Sequence, residues 1–329
     1  MKRFRILALD GGGIKGAFSA AALAALEETT GCRCLDHFDL IAGTSTGGII
    51  AIGLGLGLSA RQISDFYENQ GPVIFPNTSL VQKTFATFKQ VFFGPKLSGD
   101  VLRDELTKVF AARKFGESKC RLLIPTYDAI GGRIFLMKTA HNPRFIFDID
   151  APAVDVALAT SAAPTYFKAA SFPQHEHASY VDGGVWANCP AMAALVEAVS
   201  FCDVSLDDID ILSIGTTTNP FSIANHADSG ALEWNIGLVN VMFEGQVEAS
   251  VKQASLLTKG RLHRLDATVP ANEFTLDDAS QVKIERLMNF GRSEAVKKAH
   301  LEDIQQRFLN GLHANPFIPI KSVSSTIVE

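Results

Sequence analysis

Three short stretches of this chain combine residue types that acyl-transfer chemistry uses. Gly43-Thr44-Ser45-Thr46-Gly47 sets a serine between two glycines in a G-x-S-x-G pattern. Its flanks give the pattern meaning: residues 38–42 form a short apolar run with strand character, and the segment up to Leu58 is apolar in the manner of a buried helix. A serine on a sharp strand-to-helix turn needs small neighbours. There it can hold a strained backbone, expose its hydroxyl, and lie near the positive end of the following helix. In a chain with 26 glycines the same pentapeptide also serves as a packing turn.

The second stretch is Gly11-Gly12-Gly13-Ile14-Lys15-Gly16, a G-x-G-x-x-G match directly after the apolar run at 4–9. A dinucleotide site wants an acidic residue at the end of the next strand to bind a ribose, whereas Asp39 here precedes that strand's apolar part. A phosphate-binding Walker loop fails as well, because Lys15 comes before Gly16 and no Ser or Thr follows in register. What fits is that the backbone N–H groups of this loop, at a helix N-terminus beside the serine turn, form an oxyanion hole.

A serine nucleophile needs a base. None of the eight histidines lies in a turn-rich setting suited to that role, and His175-Glu176-His177 lacks a third ligand at a useful spacing for a metal. Asp182-Gly183-Gly184 is the better candidate. It follows Tyr180-Val181 and leads to Asn188-Cys189-Pro190, where Pro190 suits the first turn of a helix. Asp182 is thus placed like the other two motifs, on a glycine turn between strand and helix, although a helix-entry aspartate has the same local pattern. Upstream, Pro164 in residues 159–167 ends a helix near the proposed site.

These motifs require elements to position them. At 329 residues, 47% apolar and 20% charged, with mean hydropathy +0.15, the chain buries a large core and is not disordered. A net charge of −5 and a pI near 5.9 argue against DNA or RNA as a backbone-bound partner. Five scattered cysteines point to a reducing, cytoplasmic setting rather than a disulfide framework. The basic start lacks the long apolar stretch of a secretion signal. The uncharged run at 40–60 is long enough to span a bilayer, yet its hydroxyls and glycines read as a buried turn and helix. Strands are expected at 4–9, 38–42, 121–129, 133–140 and 210–217, and helices at 60–69, 98–113, 152–160, 190–201, 234–257 and 281–309. Strands followed by helices predict an α/β fold with a mainly parallel central sheet, functional at the strands' carboxyl ends. We expect one domain over 1–329, with the motifs in about 5–200, a helical part at about 230–313 and an extended tail at 315–329.

In that order, DGGGIKG, GTSTGG, the SAAPTYF stretch and DGG with its following N-x-P resemble the patatin-like phospholipases over roughly residues 5–200. The resemblance implies a three-layer α/β/α fold and a Ser-Asp dyad. Ser45 would be the nucleophile, Asp182 the general base, and the Gly11–Gly13 amides the oxyanion hole, supported by Gly16, Gly43, Gly47, Gly183 and Gly184. No cofactor and no metal are implied. Residues 53–76 further resemble the patatin-like effectors of bacterial CBASS anti-phage systems. These are activated by cyclic nucleotides and degrade membrane phospholipid. On that resemblance the partners are a phospholipid membrane as substrate, at the inner membrane surface, and a cyclic di- or oligonucleotide activator at an unplaced site. A homo-oligomer completes that expectation.

Val81, Phe85, Phe88 and Phe92 recur at helical spacing among lysines, which fits either a lid or interfacial element within 67–97 or an ordinary core helix. Two competing readings remain at this level. One is an α/β-hydrolase esterase with a Ser-Asp-His triad using His226 or His263, against which only one strand and one helix precede the serine turn. The other is a non-catalytic nucleotide-binding module built on the first glycine loop, which leaves Ser45 and Asp182 without a role.

Overall fold

The computed structural model describes residues 3–76, 97–218, 231–270 and 273–320. Strand β1 (Phe4–Leu9) is buried along its whole length, which is why its sequence is a continuous apolar run rather than an alternating one. It pairs in parallel with β2 (Leu40–Gly43) on one side and β6 (Ile209–Ile214) on the other. β2 continues in parallel to β3 (Arg121–Asp128), and β6 to β7 (Leu262–Leu265), while β4 (Arg133–Lys138) closes the β3 edge antiparallel. The resulting order is β4-β3-β2-β1-β6-β7.

Short β5 (Tyr180–Asp182) matters most for the site. The first half of β3 pairs with β2 and its second half, Thr126–Asp128, pairs antiparallel with β5 along the same edge. β5 therefore takes over where β2 leaves the sheet, and Asp182 arrives beside the turn that ends β2. Leu9 lies level with Gly43 and Ile214, and Ile214 with Leu265, so the loops after β1, β2, β6 and β7 emerge at one end of the sheet.

Helices α1 (Gly16–Thr30), α3 (Thr46–Gly55), α4 (Ala60–Ile74), α5 (Gly99–Phe110), α6 (Ala153–Ser161) and α10 (Gln281–Val296) pack over one face with Leu7 and Leu9. Helix α8 (Ala191–Phe201) and the C-terminal part of α9 (Ala231–Leu257) cover the other face, with Ile6 and Ala8. Successive β1 side chains thus serve opposite layers, the period of two that a doubly covered strand imposes. The architecture is the expected three-layer α/β/α. The remaining α-helices among the described residues are α2 (Cys34–His37), α7 (Gly184–Ala187) and α11 (Lys298–Arg307).

Three elements differ from expectation. β7 was not expected, because LHRL carries two polar residues whose partners lie far away in sequence. The expected single helix at 281–309 is two, broken at Lys297, whose φ −58 and ψ 133 are non-helical. Helix α4 runs on to Ile74 with Pro72 inside it, beyond the expected end at 69. The start of the tail is tied down: the Asn315 N–H donates to Asp39 Oδ1 at 3.0 Å and the Ile320 N–H to the Ala140 carbonyl at 2.8 Å. Most of the aromatic segment at 80–97 lies outside the described residues.

Candidate active site

Ser45 sits between β2 and α3 with φ 54 and ψ −122, a left-handed backbone that costs a non-glycine residue roughly 1–3 kcal/mol. The surroundings hold it there. Its N–H donates to Thr160 Oγ1 at 3.0 Å, and that hydroxyl in turn donates to the Pro125 carbonyl at 2.7 Å. On the other side, the Thr44 N–H donates to the Leu9 carbonyl at 3.1 Å and Thr44 Oγ1 to the Ala187 carbonyl at 2.6 Å. The turn is also too tight for side chains at its ends, since a Cβ on Gly43 would run into the Gly47 carbonyl, and one on Gly47 into the Leu9 carbonyl.

Asp182 ends β5. Its N–H donates to the Ala162 carbonyl at 3.0 Å, and its Oδ1 accepts the Gly184 N–H at 2.7 Å. The carboxylate is buried, and the Ser45 hydroxyl favours its ionised form. Burial pushes its pKa up to about 6, against the opposing effect of the Ser45 and Gly184 hydrogen bonds. Gly183 lies so close to the Pro125 carbonyl that a Cβ would collide with it. Pro125 thus abuts this glycine turn and also anchors the Thr160 hydroxyl behind Ser45.

The first glycine loop lies alongside: a Cβ on Gly11 would come within 3.2 Å of Ser45 Cβ. One correction follows. The Gly11 N–H donates to the Asn188 carbonyl at 3.0 Å, which removes Gly11 from the three-donor oxyanion set expected from the sequence. Among the described residues the N–H groups of Gly12 and Gly13 have no such partner. The loop is fixed from outside by Thr216 Oγ1 donating to the Gly11 carbonyl at 3.2 Å and by the Ile14 N–H donating to the Leu276 carbonyl at 3.1 Å. Gly13, at φ +57, holds the one position in this loop where left-handed backbone favours glycine. Gly16 packs on the Thr46 side chain, joining the start of α1 to the start of α3.

A serine and a buried aspartate whose titration responds to it, beside two such amides at a helix start, form a compact set for acyl transfer. Residues 7–195 match the family model for patatin-like phospholipase. The chain belongs to the patatin-like phospholipases. It is 34% identical to a cGAMP-activated phospholipase of Vibrio cholerae, over 89% of this chain and 91% of that protein. It is likewise 34% identical to one of Pseudomonas aeruginosa, over 84% of this chain and 78% of that one. A third, from Escherichia coli, is 31% identical over 97% and 95%.

As a patatin-like phospholipase the chain is a lipid acyl hydrolase, and its site contains a charged cluster that sequence reasoning missed. Arg264 on β7 donates through Nη2 to Asp10 Oδ2 at 2.6 Å and Asp266 Oδ2 at 2.8 Å, and through Nη1 to Ser213 Oγ at 2.8 Å. Against the penalty of burial, Asp10 and Asp266 hold the guanidinium firmly protonated. Asp10 directly precedes the glycine loop, so this cluster sets where the loop leaves β1. Asp266 Oδ1 also accepts the Thr217 N–H at 3.0 Å, and Lys15 Nζ donates to the Thr217 carbonyl at 3.0 Å.

No histidine among the described residues hydrogen-bonds Ser45 or Asp182. His263 has both ring nitrogens engaged, with Asp303 at 2.7 Å and His300 at 3.0 Å, so the phospholipase draws no triad base from it. His226 lies outside the described residues. His175 Nδ1 meets the Tyr180 hydroxyl at 2.6 Å, and its ring packs against Phe172, which accounts for it structurally. Among the described residues no helix is long and apolar enough to cross a membrane.

Proposed function

We propose that this phospholipase works through a Ser45–Asp182 dyad. The observation that carries the reading is a buried Asp182 whose carboxyl titration is set in part by the Ser45 hydroxyl, with no histidine among the described residues bonded to either. Asp182 takes the Ser45 hydroxyl proton as Oγ bonds to the acyl carbonyl carbon. The resulting oxyanion is met by the N–H groups of Gly12 and Gly13. Collapse breaks the ester C–O bond, and Asp182 returns the proton to the departing lysophospholipid oxygen. Water then adds to the acyl-Ser45 carbonyl, again losing a proton to Asp182; collapse breaks the acyl–Oγ bond, Asp182 returns the proton to Ser45 Oγ, and the fatty acid leaves.

The raised carboxyl pKa suits this role and fixes a pH profile. Asp182 acts as base only when ionised, so kcat/KM is level above about pH 6 and falls about tenfold per unit below it. A pH series with p-nitrophenyl butyrate checks this. Full activity maintained down to pH 4 contradicts it.

The same reading includes activation by a cyclic nucleotide, in line with the names of the three bacterial relatives, and a role in CBASS anti-phage defence at the inner membrane surface. Exposed apolar side chains around the site fit a lipid surface. Val185 follows the Asp182 turn, Met242 neighbours Phe243 against Gly184, and Leu276 holds the glycine loop, with exposures of 42%, 63% and 43%. The test is fatty-acid release from phosphatidylethanolamine–phosphatidylglycerol vesicles with and without cyclic GMP-AMP. We expect a rise on the order of 10²-fold, the span of a switch from about 1% to 99% active. Equal release without nucleotide contradicts the activation.

A further inference from the structure

A cavity of about 290 Å³ lies at the C-terminus of α6. Its lining includes Ser98 and Gly99 at the start of α5, Arg103 one turn on, Ser161, Phe167 and Lys168. Ser161 is buried, and its hydroxyl has no hydrogen-bond partner among the described residues. Lys168 is exposed and has no carboxylate partner among the described residues. Arg103 gives Nη1 to Asp155 Oδ1 at 2.6 Å, leaving its other donors for a ligand. Asp100 supplies the carboxylate of the lining, within the first turn of α5.

We infer that this cavity binds a phosphodiester and that its occupant acts on both dyad residues. Two cationic side chains, an unpaired hydroxyl and the N–H groups at the start of a 12-residue helix that the Ser98 cap on the Asp100 N–H leaves over are the donors a phosphate oxygen takes. Phe167 and the leucines beside it give an apolar wall for the rest of the ligand. The link to catalysis is a tripeptide. Thr160 accepts the Ser45 N–H at 3.0 Å, Ser161 lines the cavity, and the Ala162 carbonyl accepts the Asp182 N–H at 3.0 Å. A ligand that seats on Ser161 therefore bears on the two hydrogen bonds that set nucleophile and base.

Two molecules carry that phosphodiester: a cyclic dinucleotide, which rests on the proposed activation, and the headgroup of a glycerophospholipid. The experiment measures Lys168→Glu and Arg103→Ala with three readouts. These are the cyclic GMP-AMP concentration for half-activation, vesicle KM at saturating nucleotide, and basal turnover of p-nitrophenyl butyrate, which carries no phosphate, measured without nucleotide or lipid. Loss of one charge-assisted contact corresponds to about a tenfold change. A tenfold rise in the half-activating concentration assigns the cavity to the nucleotide, and a tenfold rise in vesicle KM assigns it to the headgroup. In both cases p-nitrophenyl butyrate turnover stays within about twofold. If the wild type ignores cyclic GMP-AMP, the activation reading fails, while the vesicle arm without nucleotide still tests the cavity. Unchanged values in both arms for Lys168→Glu, whose exposed position tolerates the change, overturn the proposal. A parallel fall in p-nitrophenyl butyrate turnover overturns it as well.

Discussion

Ser45→Ala and Asp182→Asn each lower phospholipid hydrolysis by at least about 10³-fold, and the double variant is no slower than the worse of the two. The reason is that nucleophile and base act as one unit, so removing either leaves only binding and oxyanion contacts. The same variants separate activity from stability. Asp182 has its pKa raised from 3.8 to about 6 by burial, so between those values the unfolded chain binds fewer protons than the folded one. Stability therefore falls as pH rises from about 4 to about 6 and stays reduced above that window. An asparagine side chain at this position would keep an acceptor for the Gly184 N–H without the buried charge. Asp182→Asn is thus expected to raise the unfolding free energy at neutral pH by roughly 1–3 kcal/mol while abolishing turnover. Thermal unfolding and vesicle hydrolysis on the same preparations check both halves. A destabilised Asp182→Asn protein, or one with near wild-type turnover, contradicts the assignment of a buried base.

Gly13→Val is the second large effect. At φ +57 a β-branched residue is strained, and its Cβ would run into the Leu276 carbonyl that holds the Ile14 N–H. The loop must shift, and with it the Gly12 and Gly13 amides. Because such donors act mainly on the transition state, kcat is expected to fall about 10²–10³-fold, or ~2.7–4 kcal/mol, with KM changed far less. Initial rates across substrate concentration, beside a circular-dichroism melt that confirms folding, decide it. A large KM rise with unchanged kcat instead assigns the loop to ground-state ligand binding.

The parts of the proposed site that were legible in the sequence are those encoded locally. Ser45 could be found because a strand, a small-residue turn and a helix are consecutive in the chain. Asp182 could be found because its own glycines mark a turn. Burial also follows from residue type, so the sheet's parallel core was readable from apolar runs. What could not be read depends on partners distant in sequence. The Gly11 amide is consumed by the Asn188 carbonyl, which narrows the oxyanion donors and leaves no trace in the motif. The Thr160 hydroxyl behind the Ser45 N–H is 115 residues away from it, and Arg264 is 254 residues from Asp10. β7 was hidden for the same reason. Its polar residues look unlike a strand until the distant Asp10 and Asp303 are seen to satisfy them.

The most direct measurement is covalent trapping with a fluorophosphonate followed by peptide mapping, on the wild type, Ser45→Ala, Asp182→Asn and the His263→Ala variant. A single adduct on Ser45 is expected. It should be absent from Ser45→Ala, slowed by orders of magnitude in Asp182→Asn, and formed at wild-type rate in His263→Ala. An adduct on another residue, or labelling that survives Asp182→Asn but disappears with His263→Ala, contradicts it.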